Sequence, residues 1–106
     1  MRPMTIALAL AFAAGSVTAF ATERTIMQKN KTFSESEIEL KKGDTLMFVN
    51  DDVVVHNIMS TTAGNEFNLG SQSPGASTSI AIKSSGDVTV MCAIHPRMKL
   101  TVKVKD

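Results

Sequence analysis

Val88-Thr-Val-Met-Cys92-Ala-Ile-His95-Pro-Arg-Met98-Lys-Leu-Thr-Val-Lys-Val104 is the stretch around which the chain is organised. Val88, Val90 and Cys92 recur at every second position, and so do Leu100, Val102 and Val104. That period predicts two half-buried strands joined by a short turn. The single cysteine of the chain ends the first run, His95 follows three residues later and Met98 three after that. A thiolate, an imidazole and a thioether thus share one loop, and that donor set suits a soft transition metal, copper above all. Pro96 restricts the loop. Such a loop brings three side chains to one side of an ion but does not surround it, so a further donor has to come from elsewhere.

The chain offers one other histidine, His56, in Val53-Val-Val-His56-Asn57-Ile-Met59. Regular alternation over this run places Val54, His56 and Ile58 on one face. By itself such a histidine reads as a satisfied core residue. Beside Cys92, His95 and Met98 it completes two imidazoles and a thiolate in a roughly trigonal plane with a weaker axial thioether, the arrangement of a mononuclear copper site. Asn57, next to it, is the candidate for tying the two ligand loops together and for bonding near the Cys92 sulfur.

Upstream, Arg24 to Lys31, which contains Thr25-Ile-Met27, reads as a first, partly exposed strand, with Phe33 as an anchor to the core. Glu37-Ile-Glu-Leu40 and Thr45-Leu-Met-Phe-Val-Asn50 follow as strands around a Lys41-Lys-Gly-Asp44 turn in which Gly43 supplies a positive φ. Leu46 and Phe48 face the core. Asp51-Asp52 breaks the run. Residues 60–74 are the loosest part, with Phe67 and Leu69 as inward anchors and Pro74-Gly75 as a stop. Thr78 to Lys83 is a strand with Ile80 and Ile82 inward. Short strands, Gly and Pro turns and no helical period argue for an all-β sandwich or small barrel.

Composition sets the remaining limits. Arg2, an apolar run from Ile6 to Ala14 and Ala19-Phe-Ala21 predict a secretory leader over 1–21, followed by one domain over 22–106. The apolar run is too short for a comfortable membrane span. Without Arg2 the remaining 85 residues carry ten basic and ten acidic side chains, so nothing points to nucleic acid. Export normally favours disulfides in a domain this small, yet one cysteine cannot close an internal one. Its alternatives are an inert buried thiol, an intermolecular disulfide, or metal ligation.

Ile38-Glu-Leu-Lys-Lys-Gly-Asp-Thr-Leu-Met-Phe-Val-Asn50, then His56-Asn57, then Cys92-Ala-Ile-His95-Pro-Arg-Met98 together resemble the plastocyanin-like and pseudoazurin-like cupredoxins. The resemblance spans nearly all of residues 22–106. It implies a cupredoxin-type Greek-key β-sandwich and one type 1 copper ion, cycling between Cu(I) and Cu(II), on His56, Cys92, His95 and Met98. The chain departs from that pattern in its ligand loop. Only Pro96 and Arg97 separate His95 from Met98, a short spacing that resembles amicyanin, the cupredoxin of methylamine oxidation. Ala93-Ile94 stands where Thr-Pro or Ser-Pro is usual. These departures leave the spectral class, blue or green, and the redox partner open.

Three functional readings follow. The first is a monomeric periplasmic carrier that passes one electron between redox proteins, such as a cytochrome or a dehydrogenase, through the edge of His95. Arg97 beside that edge points to an acidic or mixed docking surface on the partner. The second keeps the copper but assigns the protein to copper tolerance or delivery; Met27, Met47, Met59 and Met91 lie outside the proposed site and would be its additional thioethers. The third is a metal-free β-sandwich binding module. Enzymatic activity is not expected, because four protein ligands leave no open position for substrate.

Overall fold

The structure is a computed structural model that describes residues 21–106. All but the last residue of the expected leader therefore lie outside the described part. Among the described residues nine strands form: β1 (Glu23–Lys29), β2 (Thr32–Phe33), β3 (Glu37–Lys41), β4 (Thr45–Asn50), β5 (Ile58–Ser60), β6 (Phe67–Asn68), β7 (Ser77–Ala81), β8 (Gly86–Cys92) and β9 (Lys99–Lys105). They divide into a four-stranded sheet ordered β2-β1-β4-β7 and a five-stranded sheet ordered β3-β9-β8-β5-β6. The chain leaves the first sheet after β2, places β3 in the second, and returns with β4. Strands β1 and β4 therefore run parallel, as do β3 and β9, while the other pairs are antiparallel. This is the Greek-key-like sandwich expected from the sequence.

Alternation does what the sequence pattern requires. Strand β8 buries Val88, Val90 and Cys92 and leaves Thr89 at the surface; β9 buries Leu100, Val102 and Val104. From the opposite sheet come Ile26, Leu46 and Phe48. Phe33 and Phe67 both pack near Phe48, with ring centroids 6.1 and 6.4 Å away. Each such aliphatic or aromatic side chain contributes about 1.5–3 kcal/mol when fully buried. Ile82 is buried, whereas Ile80 is only partly so.

Two turns show the backbone angles that tight reversals demand. Asn30 and Lys31 both lie in the left-handed region, with φ of 52° and 56°, and form the tight reversal between β1 and β2. Gly43, φ 92°, takes the positive angle expected of it. One strand is shorter than the sequence pattern suggests. The ladder of β5 starts at Ile58, and Val53 to Val55 bend away with Val53 88 % exposed. The cause is local competition for backbone groups. The Asn50 amide donates to the Val54 carbonyl at 2.9 Å, and the Asp52 carboxylate accepts the Val53 N–H at 2.8 Å.

Candidate metal centre

The register of the second sheet puts Ile58 directly opposite Cys92. His56, two residues before Ile58, therefore lies just past the end of the ladder, beside the cysteine. Cys92 itself is the last residue of β8 and wholly buried. Its N–H donates to the Met98 carbonyl at 3.3 Å, and the Met98 N–H donates to the His95 carbonyl at 2.9 Å. The loop thus folds back within seven residues, which leaves Met98 buried and turns His95 inward while Ile94, Pro96 and Arg97 face outward. The Ala93 N–H donates to the Asn57 carbonyl at 2.8 Å and joins this loop to the one that carries His56.

His56 has no ladder to hold it, and a buried polar network does so instead. Its N–H donates to the Gln72 carbonyl at 3.1 Å, and the Gln72 N–H returns to the His56 carbonyl at 2.7 Å. The wholly buried Gln72 side chain donates to the Phe48 carbonyl at 2.8 Å and accepts from the Gln28 amide at 2.7 Å. Asn50 donates to the Gln72 carbonyl at 2.8 Å and accepts the Asp52 N–H at 2.9 Å. Every link runs between groups shielded from water, where an unpaired partner is costly.

These constraints bring three donors together. His56 Nδ1 lies 3.5 Å from Cys92 Sγ, His95 Nδ1 lies 3.8 Å from the same sulfur, and the two Nδ1 atoms are 3.2 Å apart. A trigonal centre with metal–nitrogen bonds of about 2.05 Å and a metal–sulfur bond of about 2.3 Å needs separations of about 3.5 Å between nitrogens and about 3.8 Å from nitrogen to sulfur. The donor triangle fits those dimensions with adjustments of a few tenths of an ångström. The cluster is capable of holding a metal ion. Met98, the fourth sequence candidate, is buried at the base of the same loop.

The surroundings complete the chemistry. The Asn57 N–H donates to Cys92 Sγ at 3.3 Å, a bond that favours the thiolate. Asn57 does tie the loops together, but through its backbone; its side-chain amide turns away and donates to Asn68 Oδ1 at 2.8 Å. On the far side of the His56 ring, Nε2 lies 2.9 Å from Asp52 Oδ2. That same oxygen accepts the Lys31 N–H at 2.7 Å. The N–H groups of Lys31 above all, then His56, hold the Asp52 carboxyl far below the usual carboxylate range. Asp52, Asn50, Gln72 and Gln28 were not singled out in the sequence. Asp52 there is a strand breaker, and nothing in its spacing marks it as a buried partner of His56.

One edge of the centre reaches the surface. His95 is partly exposed and lines an open groove together with Lys31, Ile94, Pro96 and Arg97. Ile94 is 51 % exposed, and Val53 and Val55 add further exposed apolar surface on the adjoining loop.

A paired-loop site of this kind at one end of an all-β sandwich has well-defined relatives. In sequence, the chain is 31 % identical over 108 residues to methylamine utilization protein MauL of Methylorubrum extorquens, covering 99 % of this chain and 95 % of that protein. In structure, it superimposes on a purple cupredoxin from Nitrosopumilus maritimus with a TM-score of 0.68 at 25 % identity, covering 76 % of this chain and 98 % of the other. A reduced amicyanin variant gives a TM-score of 0.70 at 22 % identity over 87 % of this chain and 89 % of that one. The copper-containing nitrite reductase of Thermus scotoductus gives 0.73 at 22 % identity, but this chain spans only 24 % of that enzyme. At these lower identities the likeness is one of fold. Residues 20–105 match the copper binding proteins of the plastocyanin/azurin family, from the first described strand through the last and including both ligand loops, and the chain belongs to that family.

Proposed function

We propose that the protein is a one-electron carrier of the periplasm, in which His56, Cys92 and His95 would hold a single type 1 copper ion with the Met98 thioether as a weaker fourth ligand. The observation that carries this reading is the unequal exposure of the three donors. His56 and Cys92 are wholly buried, whereas His95 meets solvent in a groove that it shares with the apolar Ile94 and Pro96 and the basic Lys31 and Arg97. A bound copper ion supplies reversible one-electron chemistry between Cu(I) and Cu(II). The chain's own residues do the rest. The Asn57 N–H and the β8 ladder hold the thiolate, the Gln72 and Asn50 network holds His56, and His95 offers the short route outward.

The donor set leaves no evident open position for substrate, which supports a carrier over an enzyme. Lys31 and Arg97 on the groove give it positive charge and favour a partner with an acidic or mixed surface, such as a cytochrome or a dehydrogenase. The likeness to a methylamine utilization protein supports amine oxidation as the first pathway to examine. The leader over 1–21 supports export, with a monomeric domain over 22–106. Among the described residues no helix is long and apolar enough to cross a membrane.

The test is the visible spectrum of the exported domain loaded with Cu(II). An intense thiolate-to-copper charge-transfer band that disappears on reduction and returns on oxidation is expected, and folded protein that binds Cu(II) without one sinks the assignment. A copper-handling role is favoured by one observation: Met59 and Met91 face each other across β5 and β8, half-buried on the outer side of the sheet. Titration with Cu(I) against a competing chelator separates the two. One equivalent bound supports the carrier; a second, lost on replacing Met59 and Met91 by leucine, supports handling.

A further inference from the structure

We propose that Asp52 is the positioning residue of the His56 ligand and that its charge lowers the reduction potential of the centre; this rests on the copper reading above. Asp52 and His56 are both buried, and the carboxylate is fixed on several sides. Oδ2 accepts the Lys31 N–H at 2.7 Å, Oδ1 accepts the Val53 N–H at 2.8 Å, and the Asp52 N–H donates to Asn50 Oδ1 at 2.9 Å. A carboxylate held this way can only accept. The His56 nitrogen 2.9 Å from it must carry the proton, so Nε2 is the N–H and Nδ1 keeps its lone pair. Nδ1 is the atom that faces Cys92 Sγ and His95 Nδ1. The bond therefore selects both the tautomer and the ring orientation that ligation needs.

The second consequence is electrostatic. The carboxylate places a full negative charge at one end of the ring whose other end faces the metal position. Removed from water, that charge favours the more positive oxidation state. Cu(II) gains more from it than Cu(I), and the potential falls. His95 has no counterpart, since no carboxylate bonds to its ring among the described residues. The pairing also explains why the reversal at Asn30 and Lys31 folds onto the site. The left-handed angles there aim the Lys31 N–H at the oxygen that holds His56.

Two substitutions separate the two effects. Asp52→Asn keeps an acceptor for Nε2 and removes the charge; Asp52→Ala removes both. In copper-loaded protein, spectroelectrochemical titration of Asp52→Asn is expected to show about a tenfold shift of the redox equilibrium toward Cu(I), which is about 59 mV upward for one electron. A change below about threefold, or one in the opposite sense, overturns the electrostatic part. In metal-free protein at a pH where the ring is neutral, nitrogen-15 NMR reads the tautomer directly. The native His56 should be protonated at Nε2, the Asp52→Ala ring should populate both forms, and Asp52→Glu should restore the native pattern in part. A native ring protonated at Nδ1 overturns the positioning role, and this measurement needs no variant to fold. Failure of the native protein to give the charge-transfer band would sink the copper reading instead, leaving the NMR result to stand by itself.

Discussion

Replacing Gln72 by alanine should unlock the loop that carries His56, and the cost can be worked out bond by bond. The Gln72 side chain satisfies the Phe48 carbonyl at 2.8 Å and the Gln28 amide nitrogen at 2.7 Å. Gln28 Oε1 already lacks a partner among the described residues, so losing Gln72 leaves the whole Gln28 amide unpaired in the interior. The Phe48 carbonyl keeps its place opposite Thr78 in the β4–β7 ladder, so the newly orphaned group is the Gln28 amide nitrogen, at a cost of about 1–3 kcal/mol. With the space left by the missing amide, the total is about 2–4 kcal/mol. A domain of this size has roughly 4–13 kcal/mol in all. Urea unfolding of the metal-free domain, followed by circular dichroism, should therefore show a midpoint lower by about 1.3 M or more, for a slope of about 1.5 kcal/mol per M. The Gln28→Met, Gln72→Met double variant tests the cause. It removes the stranded amide along with its partner and should recover part of the loss, because paired apolar replacement avoids the desolvation penalty. A single variant that loses less than about 1 kcal/mol, or a double variant that is worse than the sum of its parts, would refute the assignment of this network.

Three further outcomes are expected. Asn57→Ala should keep the thiolate–copper band, since the bond to Cys92 Sγ comes from the backbone N–H; it should lose only the link to Asn68, for about 1 kcal/mol or less in urea unfolding. Met98→Leu conserves volume and should cost under about 1.5 kcal/mol of stability, while voltammetry shows a raised potential as the thioether is lost. Asp44 has its carboxyl lowered by the Lys41 N–H first and the Thr22 N–H second, so its contribution is complete above the ordinary carboxyl value of about 3.9 and is lost as pH falls below it. Asp44→Asn should accordingly flatten the decline in stability of the metal-free domain below about pH 4, measured by thermal unfolding at a series of pH values.

The sandwich was legible because most of its strands obey one rule. In β8 and β9 the buried residues fall at every second position, and Leu46 and Phe48 do the same in β4. The reversal at Lys41–Asp44 announced itself through Gly43. What could not be read was pairing between distant strands. Nothing in Glu23–Lys29 says that it lies parallel to Thr45–Asn50, because that register is fixed by the crossing of the chain between sheets. Val53 to Val55 misled for a related reason. Three β-branched residues carry high strand propensity, yet Asn50 and Asp52 claim their backbone groups first.

The same division runs through the candidate site and explains its construction. Cys92, His95 and Met98 lie within one loop, so their spacing alone brought them to notice, and the end of a ladder fixes the first of them. His56 is fixed by Asn50 and Asp52, a few residues upstream of it, and by Gln72 with Gln28 behind it, which come from two other segments of the chain. Each is a polar side chain drawn inside, where alternation of apolar residues gives no signal. A ligand held by a ladder is stiff because the sheet is stiff. A ligand held by buried amides and a carboxylate is stiff only while every bond in the set is made. The two halves of the centre should therefore respond differently to mutation. Changes on the 92–98 loop act on the metal bonds and the docking edge, whereas changes at Gln72 or Asp52, remote from solvent, act on where His56 points and on what charge it feels.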